Sequence, residues 1–211
     1  MILPGLPMPL AMQAGAAAFR SITSVSNAIG DQTLSAPAGQ KAGDLLLVIF
    51  ACQALRPADT PSGWTKISSW DGSSSSFYVF WKIASTDGES VRVYTPSGAG
   101  GSRTIFYACF SGATGLDAGS VTTVTNGNNS ITIAAVTAAK AGIRLATGFV
   151  DINTATVTSP PSGMAEILVA EGSVLGLGLW MAEGSPAGAS PTAGITWSAT
   201  NDKAGVQLQV Y

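Results

Sequence analysis

Apolar residues in this chain come in short runs or in alternation, and hardly anywhere at helical spacing. Leu45-Leu-Leu-Val-Ile-Phe50 is a continuous apolar run bounded by Gly43-Asp44 and Arg56-Pro57, the pattern of a strand covered on both faces. Phe77-Tyr-Val-Phe-Trp81 is similar and follows the turn-rich Asp71-Gly-Ser-Ser-Ser-Ser76. Val91-Arg-Val-Tyr94 and Val206-Gln-Leu-Gln-Val210 alternate apolar with polar, as strands with one wet face do. Clusters of turn residues separate the runs, at Thr95 to Gly101, Asn126 to Asn129 and Ser159 to Gly163. No apolar stripe of helical period exceeds about two turns. The pattern predicts an all-β chain. Two twisted sheets with one greasy face each are stable once packed together, so the expected architecture is one β-sandwich of jelly-roll type over residues 21–211. Trp64, Trp81 and Trp180 are expected in its core. Two sandwiches side by side, divided near Gly112 to Gly119, are the alternative.

The runs also repeat. Lys41-Ala-Gly43, Pro61-Ser-Gly63 and Trp81 return as Lys140-Ala-Gly142, Pro161-Ser-Gly163 and Trp180, at offsets of 99, 100 and 99. Leu34 to Gly43 then lies against Ile133 to Gly142. Past an insertion near Ser185 to Pro191, Thr104 to Phe110 falls against Val206 to Tyr211. These matches predict a duplicated half, with pseudo-repeats over about residues 30–115 and 130–211. The unit is too long for a solenoid repeat. Duplication supplies the same groups twice, whereas an active site needs different groups converging, so the repeat favours a structural role.

Composition narrows the reading. Only 10 % of the 211 residues are charged and the net charge is -2, so the surface is built from uncharged residues and offers little repulsion to association. With 10 Lys and Arg against 12 Asp and Glu, no basic field exists to hold phosphates, and nucleic acid is not an expected partner. Met1-Ile-Leu-Pro-Gly-Leu-Pro-Met-Pro-Leu10 is apolar, but its prolines exclude a helix. It lacks the basic start of a signal peptide, and no run reaches the length of a membrane span. Residues 1–20 are therefore expected to form an extended, polyproline-like assembly arm carrying Ile2, Leu3, Leu6, Met8, Leu10 and Met12, best used against a neighbouring subunit.

Candidate chemistry is sparse. The chain has no histidine, which removes Ser-His-Asp and Cys-His nucleophile systems and the commonest neutral metal ligand. Cys52 and Cys109 sit in apolar runs and read as buried thiols, with a disulfide between neighbouring strands as the alternative. Asp87 and Glu89 read as solvated turn residues. Asp117, Asp151 and Glu166 are the acids left for a paired-carboxylate hydrolase, with nothing in their spacing to bring them together. No loop shows the dense Asp/Asn pattern of a calcium loop, and Asn126-Gly-Asn-Asn129 reads as a hairpin turn. Gly98-Ala-Gly-Gly101 precedes a strand, with no helix to make it a phosphate loop. No catalytic residue, cofactor or metal is expected. Trp70 and Trp197, free of repeat partners, are the candidates for contact with a host surface glycan.

Ala42-Gly-Asp-Leu-Leu-Leu-Val48, Pro61-Ser-Gly-Trp-Thr65, Tyr78-Val-Phe-Trp-Lys82 and Tyr107-Ala-Cys-Phe-Ser-Gly112 follow one another in order. Together they resemble a β-rich module of the structural proteins of tailed bacteriophages, of head-decoration or minor capsid type. The second half departs from that pattern with Met164 in place of tryptophan and Ile143-Arg144 after Gly142. The resemblance implies a virion protein without catalytic residues, located on the particle surface. The expected partners are the major capsid protein and sister copies, in a trimer matched to the local threefold positions of a capsid. A tail, baseplate or fibre component and a carbohydrate-binding adhesin are the alternatives.

Overall fold

The computed structural model describes residues 16–53, 59–72, 74–93, 101–125, 128–152, 154–171 and 175–211, with Asn27 described by its backbone alone. Among these residues the chain forms strands and turns and no helix. The first half holds β1 (Ala18–Ala28), β2 (Gln32–Leu34), β3 (Leu45–Gln53), β4 (Thr65–Asp71), β5 (Ser75–Ile83), β6 (Val91–Val93) and β7 (Arg103–Ser111). Next come β8 (Leu116–Ala118), β9 (Thr122–Val124), β10 (Ser130–Ile133), β11 (Thr137–Ala138), β12 (Gly142–Val150) and β13 (Val157–Ser159). The last five are β14 (Ala165–Ala170), β15 (Gly176–Ser185), β16 (Gly188–Ala189), β17 (Ala193–Trp197) and β18 (Lys203–Val210).

Two main sheets result, sheet I in the order β1-β7-β3-β5-β4 and sheet II in the order β14-β15-β12-β18-β8, with β9 also on β18. The small sheets β2-β6 and β10-β17-β13 lie outside them, and β11 pairs with β16 inside the segment read as an insertion. The continuous apolar runs became the central strands β3 and β5, buried nearly end to end. The all-β expectation holds, with sheets packed face to face. The two Pro-Ser-Gly sequences close equivalent turns: the amide of Trp64 donates to Pro61 O at 3.0 Å and that of Met164 to Pro161 O at 3.3 Å. Gly63 and Gly163 take the positive φ such turns need, 78° and 70°.

Three apolar clusters hold the sheets together. The central one joins the halves, packing Leu45, Leu47, Ile49 and Phe106 of sheet I against Leu145, Phe149, Leu177 and Val206 of sheet II. A second cluster lies between sheet I and Leu34, Val91 and Val93 of the β2-β6 pair. The third lies between sheet II and Ile131, Ile133, Ile195 and Trp197 of the other outer sheet. Each main sheet is therefore covered on both faces, which is why its strands are apolar throughout rather than alternating.

Register corrects the repeat. Leu47 stands opposite Trp81, whereas Leu145 stands opposite Met181 and Ala146 opposite Trp180. Trp81 packs on the central cluster while Trp180 belongs to the outer one, so the two matched tryptophans face opposite sides of their sheets. In register, Trp81 corresponds to Met181 and Phe80 to Trp180. A one-residue slip inverts the face of every side chain, and a sequence rich in Ala and Gly does not reveal it.

The outer clusters exchange volume. Across sheet I, Phe50 stands between Tyr78 and Ile105; across sheet II the corresponding row is Gly178, Gly148 and Gly205. The space these glycines leave is filled by larger neighbours. A Cβ on Gly178 would sit 2.1 Å from the Trp180 ring, on Gly148 2.8 Å from Ile195 Cδ1 and on Gly205 2.7 Å from Ile133 Cδ1. Close packing is thus conserved by different means in the two halves.

Further expectations change. Cys52 pairs with Arg103 and Cys109 with Leu46, six positions apart along β3 and β7. That is about 20 Å, far beyond disulfide reach; both are buried cysteines outside any disulfide. Asn126 and Gly127 lie outside the described residues, and the flanking β9 and β10 enter different sheets, so no hairpin ladder joins them. Residues 1–15, with Ile2, Leu3, Leu6, Met8, Leu10 and Met12, also lie outside the described residues, as does Gly98. Ala18 to Arg20, assigned to the arm from sequence, begin β1.

Candidate functional site

Polar groups gather at the ends of the main sheets. The largest cluster is built on Asp44, which is buried at the start of β3. Its Oδ2 accepts from the amide of Lys41 at 2.7 Å, and Arg20 of β1 meets both carboxylate oxygens, Nε–Oδ2 at 3.1 Å and Nη2–Oδ1 at 3.3 Å. The Cys109 thiol donates to the same Oδ2 at 3.3 Å. Burial pushes that thiol up to about 12, and the hydrogen bond to Asp44 adds to the rise. A thiol held neutral in this way is a poor nucleophile. The cluster fastens β1 to β3 across β7.

Beside it, Asp87 accepts from the Ala42 amide at 2.8 Å and pairs with Lys41 at 2.9 Å. The Ala42 amide and then Lys41 hold its carboxyl below the ordinary range. Burial acts to raise Glu89, but its bonds from Lys82 and the Ser85 amide outweigh this and leave it lowered. Tyr107 donates its hydroxyl to Glu89 O at 2.6 Å, and burial, then the Glu89 charge, raise its phenol. Asp87 thus ties the turn before β6 to the segment entering β3, and Glu89 ties it to β5 and β7.

In the second half Asp117 of β8 accepts from the Ala139 amide at 2.7 Å. Gln207 and Gln209, both buried, donate to the carbonyls of Ala134 at 3.0 Å and Lys140 at 2.8 Å. Lys203 is fully buried and gives its ammonium to the carbonyls of Asn128 and Asn201 at 2.6 and 2.7 Å. Burial lowers its pKa against the opposing effect of Asp202. Arg103 opens β7 at the place where Lys203 opens β18; it too is buried, and its Nε and Nη1 find no acceptor among the described residues.

The candidates for chemistry are not brought together. Glu166 stands on the edge strand β14 and Asp117 at the opposite edge of the same sheet, four strand spacings or about 19 Å away. Asp151 follows the end of β12, five positions beyond Ala146 in the row of Glu166, or about 17 Å along the strands. The glycan candidates separate as well. Trp197 is fully buried against Gly176, because β17 runs in the middle of the outer sheet and turns this side chain onto sheet II. It presents no ring face to a sugar. Trp70, half-buried on the edge strand β4, packs over Gly72 with its ring 5.7 Å from that of Phe149. A hollow of about 200 Å³ opens where the chain enters β1, lined by Ala16, Ala17, Ala141, Gly142 and Gly184 and by no charged side chain.

No family model, curated protein or solved structure matches the chain.

Proposed function

We propose that the chain is a virion structural protein, a head-decoration or minor capsid protein of a tailed phage that binds the capsid lattice and sister copies through its N-terminal segment. The observation that carries this reading is the anchoring of β1. Pairing along β7 and the Arg20–Asp44 bridge fix the strand to sheet I, so the apolar residues 1–15 are delivered from a rigid point beside a hollow lined by small residues. Each Leu, Ile or Met buried on a neighbour contributes about 1.5–3 kcal/mol, and four or five would anchor a subunit. The low charge of the chain suits a crowded lattice.

Duplication belongs to the same proposal. Each half starts on an edge strand beside its last strand, visits an outer sheet, gives three further strands to the main sheet and visits the outer sheet again before its last strand, and in the second half β13 makes one more outer visit between β12 and β14. This passage between inner and outer layers is the wrapping from which a jelly-roll sandwich is made. Repetition of it within one chain supports descent from a doubled unit with an architectural role and no catalytic one.

Deletion of residues 2–15 tests the function. The shortened chain should fold with an unchanged Tm and fail to join particles; undiminished incorporation removes the arm as the anchor. Copurification with tails would place the protein there instead, and binding of the isolated chain to host polysaccharide, lost on Trp70→Ala, would make it an adhesin.

A further inference from the structure

Asp151 follows β12 and Asp202 precedes β18, one step beyond the opposed residues Val150 and Lys203. The Asp151 amide donates to Asp202 O at 2.9 Å, so the ladder continues through both aspartates and sets them opposite each other. Side chains so placed share a face with Cβ atoms about 4.5–5.5 Å apart. Both residues are buried, with 7 % and 4 % exposure. Val150 faces the outer cluster; by alternation the aspartates face the first half, and Ser74 of the β4–β5 hairpin donates to Asp151 Oδ2 at 2.7 Å. The second oxygen, Asp151 Oδ1, is buried and accepts no hydrogen bond.

The first half shows that the fold does not require these acids. At the corresponding step beyond Cys52 and Arg103, the amide of Gln53 donates to Ser102 O at the same 2.9 Å. A neutral pair closes that ladder. In the second half two carboxylates stand opposite each other, a repulsive arrangement, and one of their oxygens is buried without a donor, which is costly. Lys203 directs its ammonium to the carbonyls of Asn128 and Asn201. Asn201 in turn donates to Asp151 O at 2.7 Å, pinning the turn that carries Asp202.

We propose that Asp151 and Asp202, with the Ser74 hydroxyl, form a site for a divalent cation, which braces the end of sheet II against the β4–β5 hairpin of sheet I. Carboxylate and hydroxyl oxygens are ligands for a hard cation. Burial favours Ca2+, which accepts protein oxygens in irregular geometry, over Mg2+, which retains several waters. Sequence inspection for a calcium loop fails here because the two carboxylates come from strand ends 51 residues apart.

The test uses the full chain treated with EDTA, followed by calorimetric titration with CaCl2 and thermal unfolding with CaCl2 or MgCl2. One equivalent of Ca2+ should bind, and a hundredfold excess over Kd should raise Tm by about 5–10 °C. Asp151→Asn and Asp202→Asn should each abolish that rise while keeping or increasing the metal-free Tm. The double variant Asp151→Gln, Asp202→Ser copies the neutral pair of the first half and gives the same readout should either single variant fold poorly. Absence of both heat and Tm shift in the unsubstituted chain, or a shift that persists in the variants, overturns the proposal.

Discussion

Asp44 and Asp117 hold the same backbone amide in the two halves of this protein. Asp44 accepts from Lys41 N at 2.7 Å and Asp117 from Ala139 N at 2.7 Å, and the two amides occupy one place by register, each four residues before Leu45 or Ile143. The acids reach it from different strands. Asp44 is close by in sequence and needs Arg20 to neutralise it, whereas Asp117 arrives from β8, half-exposed.

The difference sets an order of stability effects. Asp44→Asn should cost about 2–3 kcal/mol, because it leaves Arg20, two-thirds buried, without its charge partner. Asp117→Asn should cost about 1 kcal/mol, the value of one hydrogen bond to a backbone amide. Urea unfolding of both variants measures this; equal losses would mean that the Arg20 bridge adds nothing.

The glycine row of sheet II predicts a position-dependent response to one added methyl group. Gly178→Ala and Gly205→Ala should each destabilise by about 1–3 kcal/mol, because the new Cβ meets the Trp180 ring or Ile133 and the Thr147 carbonyl. Gly194→Ala on β17, where nothing lies within 4 Å, should be neutral or stabilising by up to about 1 kcal/mol. Thermal unfolding distinguishes them, and a neutral Gly205→Ala would contradict the packing described.

Alkaline pH should weaken the fold through Cys109 and Tyr107, whose pKa values are raised by burial. For a thiol with an ordinary value of 9.0 and a folded value of about 12, the unfolded chain ionises first. The stabilising contribution is complete below pH 9 and is lost as pH climbs toward 12. Cys109→Ala should flatten the fall in stability between pH 9 and 11, measured by urea midpoints. The folded chain should also resist iodoacetamide at pH 8.5 until denatured; rapid alkylation without unfolding would show the thiol to be accessible.

The parts legible in the sequence are those fixed by local pattern. Leu45 to Phe50 and Phe77 to Trp81 announce central strands, and Pro61-Ser-Gly63 and Pro161-Ser-Gly163 announce turns, because each rests on a backbone preference or a run of apolar side chains. Features decided by distant pairing stay hidden. Phe19 to Val25 is too polar to signal a strand, yet β7 gives it a partner. Trp197 lies among Thr and Ser, so only the outer sheet reveals that it is buried. The matched tryptophans mislead, since a slip of one residue leaves the spelling alike and reverses the face. Asp151 and Asp202 meet only through the β12–β18 ladder.

The most direct measurement for the proposed assignment to a virion is cryo-electron microscopy of purified particles of a phage carrying this coding sequence. Density fitting the paired sheets is expected on the outer surface of the head, repeated about local threefold axes, with an extended strand of density running from β1 onto the capsid shell. Particles that lack this density on head and tail alike, with the protein recovered only in the soluble fraction, would contradict it.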